Sequence, residues 1–234
     1  MTTRGRLTVA FFCVFFLAGT AAAEPICSAK LEVGTYCVAT LANLRPTQPA
    51  VGLMRVEDEA ASLAGLSPDA LEKRLKKRRV PLVAGPGGAL YLVDRHHQSR
   101  ALLRLGQREA PARLVGRLDK AATFWNDMQA RHWAWLRDAA GWPLPPEKLP
   151  ATLAELPDDP WRSLAGYAED AGVIGKPGDG YFAEFVWAEW LVTRLPAPPT
   201  RESLDDDLAA VKRLVCGVPT AKLPGEPGRA CAKR

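Results

Sequence analysis

The stretch that most restricts the fold lies near the middle of the chain. Val80-Pro81-Leu82-Val83-Ala84 and Ala89-Leu90-Tyr91-Leu92-Val93 are short apolar runs separated by Gly85-Pro86-Gly87-Gly88. Runs of this length suit strands, and glycines around a proline make a turn, so the segment reads as a hairpin. Directly after it the period changes. Asp94 stands where a helix cap belongs, Ala101, Leu102 and Leu105 form an apolar stripe at helical spacing, and Gly106 stops the helix. A hairpin that runs straight into an amphipathic helix points to an α+β arrangement, in which the helix buries its stripe on the sheet.

That junction also carries the candidate chemistry. Arg95, His96 and His97 occupy the predicted first helical turn. First-turn amides lack partners within their helix, and the helix dipole is positive there, so the position attracts anions. Two of the three histidines are here; the third, His132, is expected to pack among tryptophans. Hydrolysis of a phosphodiester needs a base for water, a donor to the leaving oxygen and positive charge on the phosphate. His96 or His97 suits the base or acid, because imidazole titrates near neutrality. Arg95 and Arg100 suit a phosphate clamp through forked hydrogen bonds. Asp94 is placed to orient a histidine, to help hold a divalent cation, or simply to cap the helix. Adjacent helical residues diverge by about 100°, so one histidine of the pair is expected to face a substrate.

On the amino-terminal side, Ser67-Pro68-Asp69 is a helix start, with Leu71 and Leu75 on one face and Lys73, Arg74, Lys76, Lys77, Arg78 and Arg79 clustered beyond them. That basic cluster reads as a solvated face, or as an extension of the junction toward a nucleic-acid backbone. Residues 31–41 read as a strand or short hairpin broken at Gly34. Arg45-Pro46-Thr47-Gln48-Pro49 reads as a turn-rich link, and residues 51–56 lead into a short helix over 57–64. Residues 113–118 read as another strand. After Asp119 the composition shifts, and all seven tryptophans fall between Trp125 and Trp190. Helices are predicted over 123–131, 160–171, 183–195 and 202–215, a strand over 132–136 and an irregular Pro-rich stretch over 142–150. The tryptophans read as core. Asp158, Asp159 and Arg162 read as a cap and ion pair at a helix start, with site residues on a lid over the histidine pair as the alternative, and Glu184 and Glu189 read as helix-surface groups.

The first residues have the layout of a cleavable export signal. Arg4 and Arg6 precede an apolar run rich in Phe11, Phe12, Phe15 and Phe16, and Ala21 and Ala23 form an A-x-A pattern before Glu24. The run is about a dozen residues, short of the ~20 a membrane-spanning helix needs. Residues 1–23 are therefore expected to be removed, leaving a secreted or periplasmic protein with no membrane segment. The formal net charge of +5 falls by the two arginines of the signal, and so mild a balance does not by itself argue for nucleic acid. Cys27, Cys37, Cys216 and Cys231 survive cleavage, and an even number in an oxidising compartment implies disulfides. Cys27–Cys37 and Cys216–Cys231 would each close a short loop; cross-pairing that ties the termini together is the alternative. With no CxxC spacing and no nearby histidine, the cysteines are weak metal ligands.

In order, Leu44-Arg45-Pro46-Thr47-Gln48-Pro49, a short helix, a basic helix, Val80-Pro81-Leu82-Val83 and Gly88-Ala89-Leu90-Tyr91-Leu92-Val93-Asp94-Arg95-His96-His97 resemble a ParB/sulfiredoxin-type domain. The doubled histidine and the Pro-Thr-Gln-Pro link look most like the ParB-like nuclease subfamily. Leu156-Pro157-Asp158-Asp159-Pro160-Trp161-Arg162 and the stretch 182–190, with Glu184, Trp187 and Trp190, resemble its second half. The resemblance covers about residues 41–194. It implies a small mixed sheet with helices, a phosphate-holding turn at Asp94, and phosphodiester hydrolysis. Partition proteins have Gly where Arg95 stands and Arg where His97 stands, and sulfiredoxins carry a reactive Cys in this turn. The missing Cys removes sulfiredoxin chemistry. Export, where nucleoside triphosphates are scarce and no chromosome is met, argues against partitioning. The reading is an α+β domain over 24–118, a helical Trp-rich half over 119–200 packed on it, and a C-terminal helix and disulfide-tied tail over 201–234. The expected partner is nucleic acid or another phosphate-bearing ligand. The expected activity is that of an exported nuclease, the alternative being a non-catalytic exported protein that binds an anion at the same turn.

Overall fold

The computed structural model describes residues 23–175, 182–217, 223–225 and 227–231. The expected export signal over 1–23 lies outside them, apart from Ala23. A five-stranded mixed sheet is built from β1 (Tyr36–Thr40), β2 (Leu44–Pro46), β3 (Val80–Ala84), β4 (Leu90–Leu92) and β5 (Glu109–Arg117), in the order β1-β5-β3-β4-β2. The hairpin over β3 and β4 is antiparallel, with Leu82 opposite Leu92, and it turns through Gly87 and Gly88 at φ 68° and 80°. A side chain is strained at such angles, which is why glycines hold this turn. β3 runs parallel to β5 and β4 parallel to β2, while β1 closes the far edge antiparallel to β5.

Three strands differ from the sequence expectation. Residues 44–46, expected as part of a turn-rich link, form β2; Pro46 is tolerated because β2 is an edge strand, where one row of amides needs no partner. β5 begins at Glu109, earlier than expected, and inner residues alternate with outer ones along it although Pro111 and Gly116 mask the strand pattern. Residues 132–136 belong to no strand, and His132, expected among tryptophans, is exposed in the left-handed region at φ 56°.

The helices are α1 (Leu53–Ala64), α2 (Pro68–Lys77), α3 (His96–Arg104), α4 (Phe124–Ala130), α5 (Pro160–Asp170), α6 (Ala183–Val192) and α7 (Leu204–Gly217). α1 starts before the expected residue 57 because its first turn is capped from elsewhere in the chain, as described below. Ser67 caps α2 as predicted, accepting the Ala70 N–H. Much of the α2 basic cluster is answered by acids: Glu59 of α1 takes Arg74 and Arg78 at 3.2 and 3.3 Å, and Lys76 pairs with Glu72.

Period-two alternation sends Leu82, Ala84 and Leu92 to one face of the sheet, where Val56, Ala60 and Leu63 of α1 and Ala101 and Leu102 of α3 cover them. Val83 and Tyr91 point to the opposite face, under Phe124 and Met128 of α4. A further core joins Trp161, Leu164 and Ala168 of α5 to Trp187 and Leu191 of α6 and Val211 and Val215 of α7. The tryptophans divide between these cores and the surface: Trp161 and Trp187 are buried, whereas Trp142 is exposed. Cys27–Cys37 and Cys216–Cys231 are both disulfide-bonded, the first of the two pairings considered above. Two such bonds fit an oxidising compartment. Among the described residues no helix is long and apolar enough to cross a membrane.

Candidate functional site

The site forms where the C-terminal ends of β2 and β4 meet the start of α3. Asp94 does not cap α3 as expected. The capping position belongs to Arg95, which sits in the left-handed region at φ 67°, ψ 27°, and no side chain caps the helix. Asp94 instead accepts the Arg95 N–H at 2.6 Å and pairs with its guanidinium at 3.7 Å, while remaining largely exposed. A left-handed turn here brings the α3 amides to the strand end, and the conformation is one that glycine adopts without strain.

His96 and His97 diverge, as adjacent helical residues must, and each ring is committed to a different segment. His96 is buried, and its Nε2 accepts the Thr47 N–H at 3.3 Å. His97 is half-buried, and its Nε2 accepts the Gly52 N–H at 3.2 Å. An imidazole nitrogen that accepts an amide proton carries none, so both rings are neutral with their proton on Nδ1. Burial pushes the His96 pKa well below its usual value, and the Arg162 charge adds to this. Burial, then Arg162 and Arg55, push His97 down to about 3. Thr47 is held on its other sides too, its Oγ1 donating to the Leu92 carbonyl at 2.8 Å and its own carbonyl accepting the Trp135 N–H.

In front of this turn lies a cleft of about 450 Å³, bordered by Asp94, Arg95, His96 and His97, by Arg78, and by residues from the first turns of α5 and α6. Four of the five residues singled out in the sequence thus come together. Arg100 is not among the cleft residues; one helical turn on, it is half-buried with Nε unpartnered among the described residues. Arg78 supplies a cation instead, from the end of α2.

Arg162 is the central group, which the sequence offered at the histidine pair only as the lesser alternative to a helix-start ion pair. It is 4 % exposed, donates to the Ala50 carbonyl at 2.7 Å and to Glu184 Oε2 at 3.3 Å, and lies 3.7 Å from the centre of the Phe185 ring. Trp135 also stacks on Phe185, with ring centres 5.0 Å apart. Glu184, expected on a helix surface, borders the cleft as the partner of Arg162. The two aspartates also part company. Asp159 caps its own helix, accepting from Trp161 and Arg162 amides, and burial raises its pKa. Asp158 reaches away to cap α1, accepting the Leu53 N–H at 2.7 Å. The Asp-Asp-Pro-Trp-Arg string signalled a helix start; nothing in its spacing could show that Arg162 points back to Ala50, more than a hundred residues earlier.

The N-terminal turns of α3, α5 and α6 therefore border one cleft with Arg78, Arg95 and Arg162, and the α1 start is bonded to His97 behind it. Behind His97 a second cavity of about 270 Å³ is lined by Arg55, Asp58, Glu59, Arg78, Gln98 and Glu184. Among the described residues no group of three or more His, Cys, Asp or Glu side chains is placed to hold a metal ion.

The family model described as "Putative ParB-like nuclease" matches residues 37–193. Among solved structures, that of protein Atu1540 from Agrobacterium tumefaciens is similar at TM-score 0.73 and 32 % identity, covering 82 % of this chain and 98 % of that one. No curated protein matches the chain. On a match that spans the sheet, the Asp94 turn and the helices that carry Arg162 and Glu184, the chain belongs to the ParB-like nuclease family.

Proposed function

We propose that the protein is an exported phosphodiester hydrolase that seats its substrate's phosphate at the start of α3. The observation that carries this reading is the convergence of three helix N-termini and three arginines on one cleft. Each helix start carries about half a positive charge; Asp159 answers it at α5 and Glu184 lies in the first turn of α6, while α3 has no acidic residue in its first turn. Backbone amides and fixed guanidinium groups held in place before the substrate arrives stabilise the extra charge of the transition state. Arg95 and Arg162 hold the phosphate, with Arg78 at the rim. Glu184, beside Arg162, takes the role of base toward water. His97, neutral and with its proton on Nδ1, hydrogen-bonds the leaving oxygen, which is protonated by the proton that Glu184 has taken from water; His96 anchors the Thr47 turn, and Asp94 fixes the backbone of Arg95. Export, from the signal over 1–23, is supported by the two disulfides.

A second reading, that of an exported binding protein, is favoured by one observation: both histidines spend Nε2 on backbone amides, so neither offers a lone pair to water. One experiment separates the two. Oxidised protein lacking residues 1–23 is incubated with single- and double-stranded DNA and RNA in Mg²⁺, Mn²⁺ or chelator, beside Glu184→Gln and His96→Ala/His97→Ala variants whose melting is checked. Cleavage that disappears in Glu184→Gln and falls in the double variant supports the hydrolase. Cleavage that persists in every variant overturns this site. Absence of cleavage, together with binding whose logarithm falls by about 0.7–0.9 per phosphate contact against the logarithm of salt concentration, favours the binding protein.

A further inference from the structure

Gln98 is the third residue of α3. A glutamine at that position ordinarily turns back to accept the N–H of the residue preceding the helix. Here that donor is already taken, because the Arg95 N–H is bonded to Asp94 at 2.6 Å. The Gln98 amide is held from the other side, its Nε2 donating to the Arg78 carbonyl at 2.9 Å. A carbonyl only accepts, so this bond fixes which end of the amide is nitrogen. Its Oε1 is left without a partner among the described residues, in a side chain that is 2 % exposed. Gln98 borders both the cleft and the cavity behind His97. Arg162 borders the cleft in the complementary condition: it is equally buried, and its Nε–H finds no acceptor among the described residues.

Buried polar groups are nearly always paired. A buried acceptor and a buried donor without partners, in two residues that border one cleft, therefore describe the partner they await, which brings a donor to Gln98 and an acceptor to Arg162. The non-bridging oxygens of a phosphodiester only accept. A hydroxyl beside the ester does both. We infer that the substrate is a phosphodiester with a free hydroxyl on the carbon next to an esterified one. The 2′-hydroxyl of RNA has this chemistry, and so does the glycerol of a glycerophosphodiester. The inference rests on reading the cleft as a phosphodiester site. Deoxyribose leaves Gln98 Oε1 open, and a site built around a substrate hydroxyl discriminates strongly against an analogue that lacks it.

The test is equilibrium binding to the oxidised protein of one labelled sequence made as RNA, DNA and 2′-O-methyl RNA, with phosphorothioate linkages throughout so that turnover does not deplete the probe. Glycerophosphoglycerol and its O-methylated analogue serve as competitors. RNA binding about tenfold tighter than both other oligonucleotides, with the preference lost in Gln98→Leu, supports the inference with ribose as the source. Displacement by glycerophosphoglycerol, but not by its methylated analogue, supports it with glycerol as the source. The comparison among ligands needs no variant, so a poorly folded Gln98→Leu protein does not obscure it. Equal binding of all three oligonucleotides without competition by glycerophosphoglycerol overturns the inference and leaves the phosphodiester reading standing. No binding of any probe overturns both.

Discussion

Two adjacent histidines act here as fixed acceptors, and this has a consequence for stability. Both have folded pKa values below the ordinary 6.5, His96 well below it and His97 at about 3, so below 6.5, and down to about 3 for His97, the unfolded chain binds protons that the folded chain refuses. Stability is complete above the upper limit and falls as pH drops through the window, by up to ~1.4 kcal/mol per pH unit for each histidine. Urea midpoints measured from pH 7 to pH 4 are expected to fall, and to fall less steeply in a His96→Asn/His97→Asn variant; parallel curves would show that the rings do not control acid sensitivity. Arg95 gives a second prediction at this scale. Its left-handed backbone costs an L residue roughly 1–2 kcal/mol, part of which glycine returns as unfolded-chain entropy. Arg95→Gly is expected to stabilise the fold by about 1 kcal/mol in urea titration while weakening phosphate binding, since a cation leaves the cleft.

At the scale of elements, two helices exchange roles through one pair of aspartates. Residue 51 bridges residue 158 in parallel: the Val51 N–H meets the Pro157 carbonyl at 3.0 Å, and the Asp159 N–H meets the Val51 carbonyl at 2.8 Å. Asp158 then caps α1 and Asp159 caps α5. Gly52 sits inside this exchange because a Cβ there would lie 2.4 Å from Ser163 Oγ and 2.8 Å from Ser163 N. Asp158→Ala is expected to cost about 1 kcal/mol, read as a lower melting temperature, and Gly52→Ala about 2 kcal/mol from overpacking against main chain. These contacts mark the limit of what the sequence discloses. The β3–β4 hairpin, the Ser67 cap, the α3 stripe and the clustering of Asp94 to His97 follow from local periods and turn chemistry, and they were legible. The partners of Arg162, Glu184 and Asp158 were not, because each bond spans a long sequence separation and the residue types alone also suit a solvated helix surface. The short β2 was missed for a related reason: its three residues gain their hydrogen bonds only from β4.

For the whole molecule, the two disulfides enclose separations of 10 and 15 residues. Loops of that size lose enough unfolded-chain entropy to contribute about 3 kcal/mol apiece. Cys27→Ser/Cys37→Ser and Cys216→Ser/Cys231→Ser are each expected to lower stability by that amount in chemical denaturation, with additive effects, since one bond lies beside the sheet core and the other beside the α5–α7 core. Neither bond crosses the seam at which residues 50–53 meet α5 and the cleft opens. Under tension applied between residues 24 and 231, that seam is carried by non-covalent contacts alone and can part, whereas the segments inside the two covalent rings stay folded back on themselves and add nothing to the extended length until a reductant releases them.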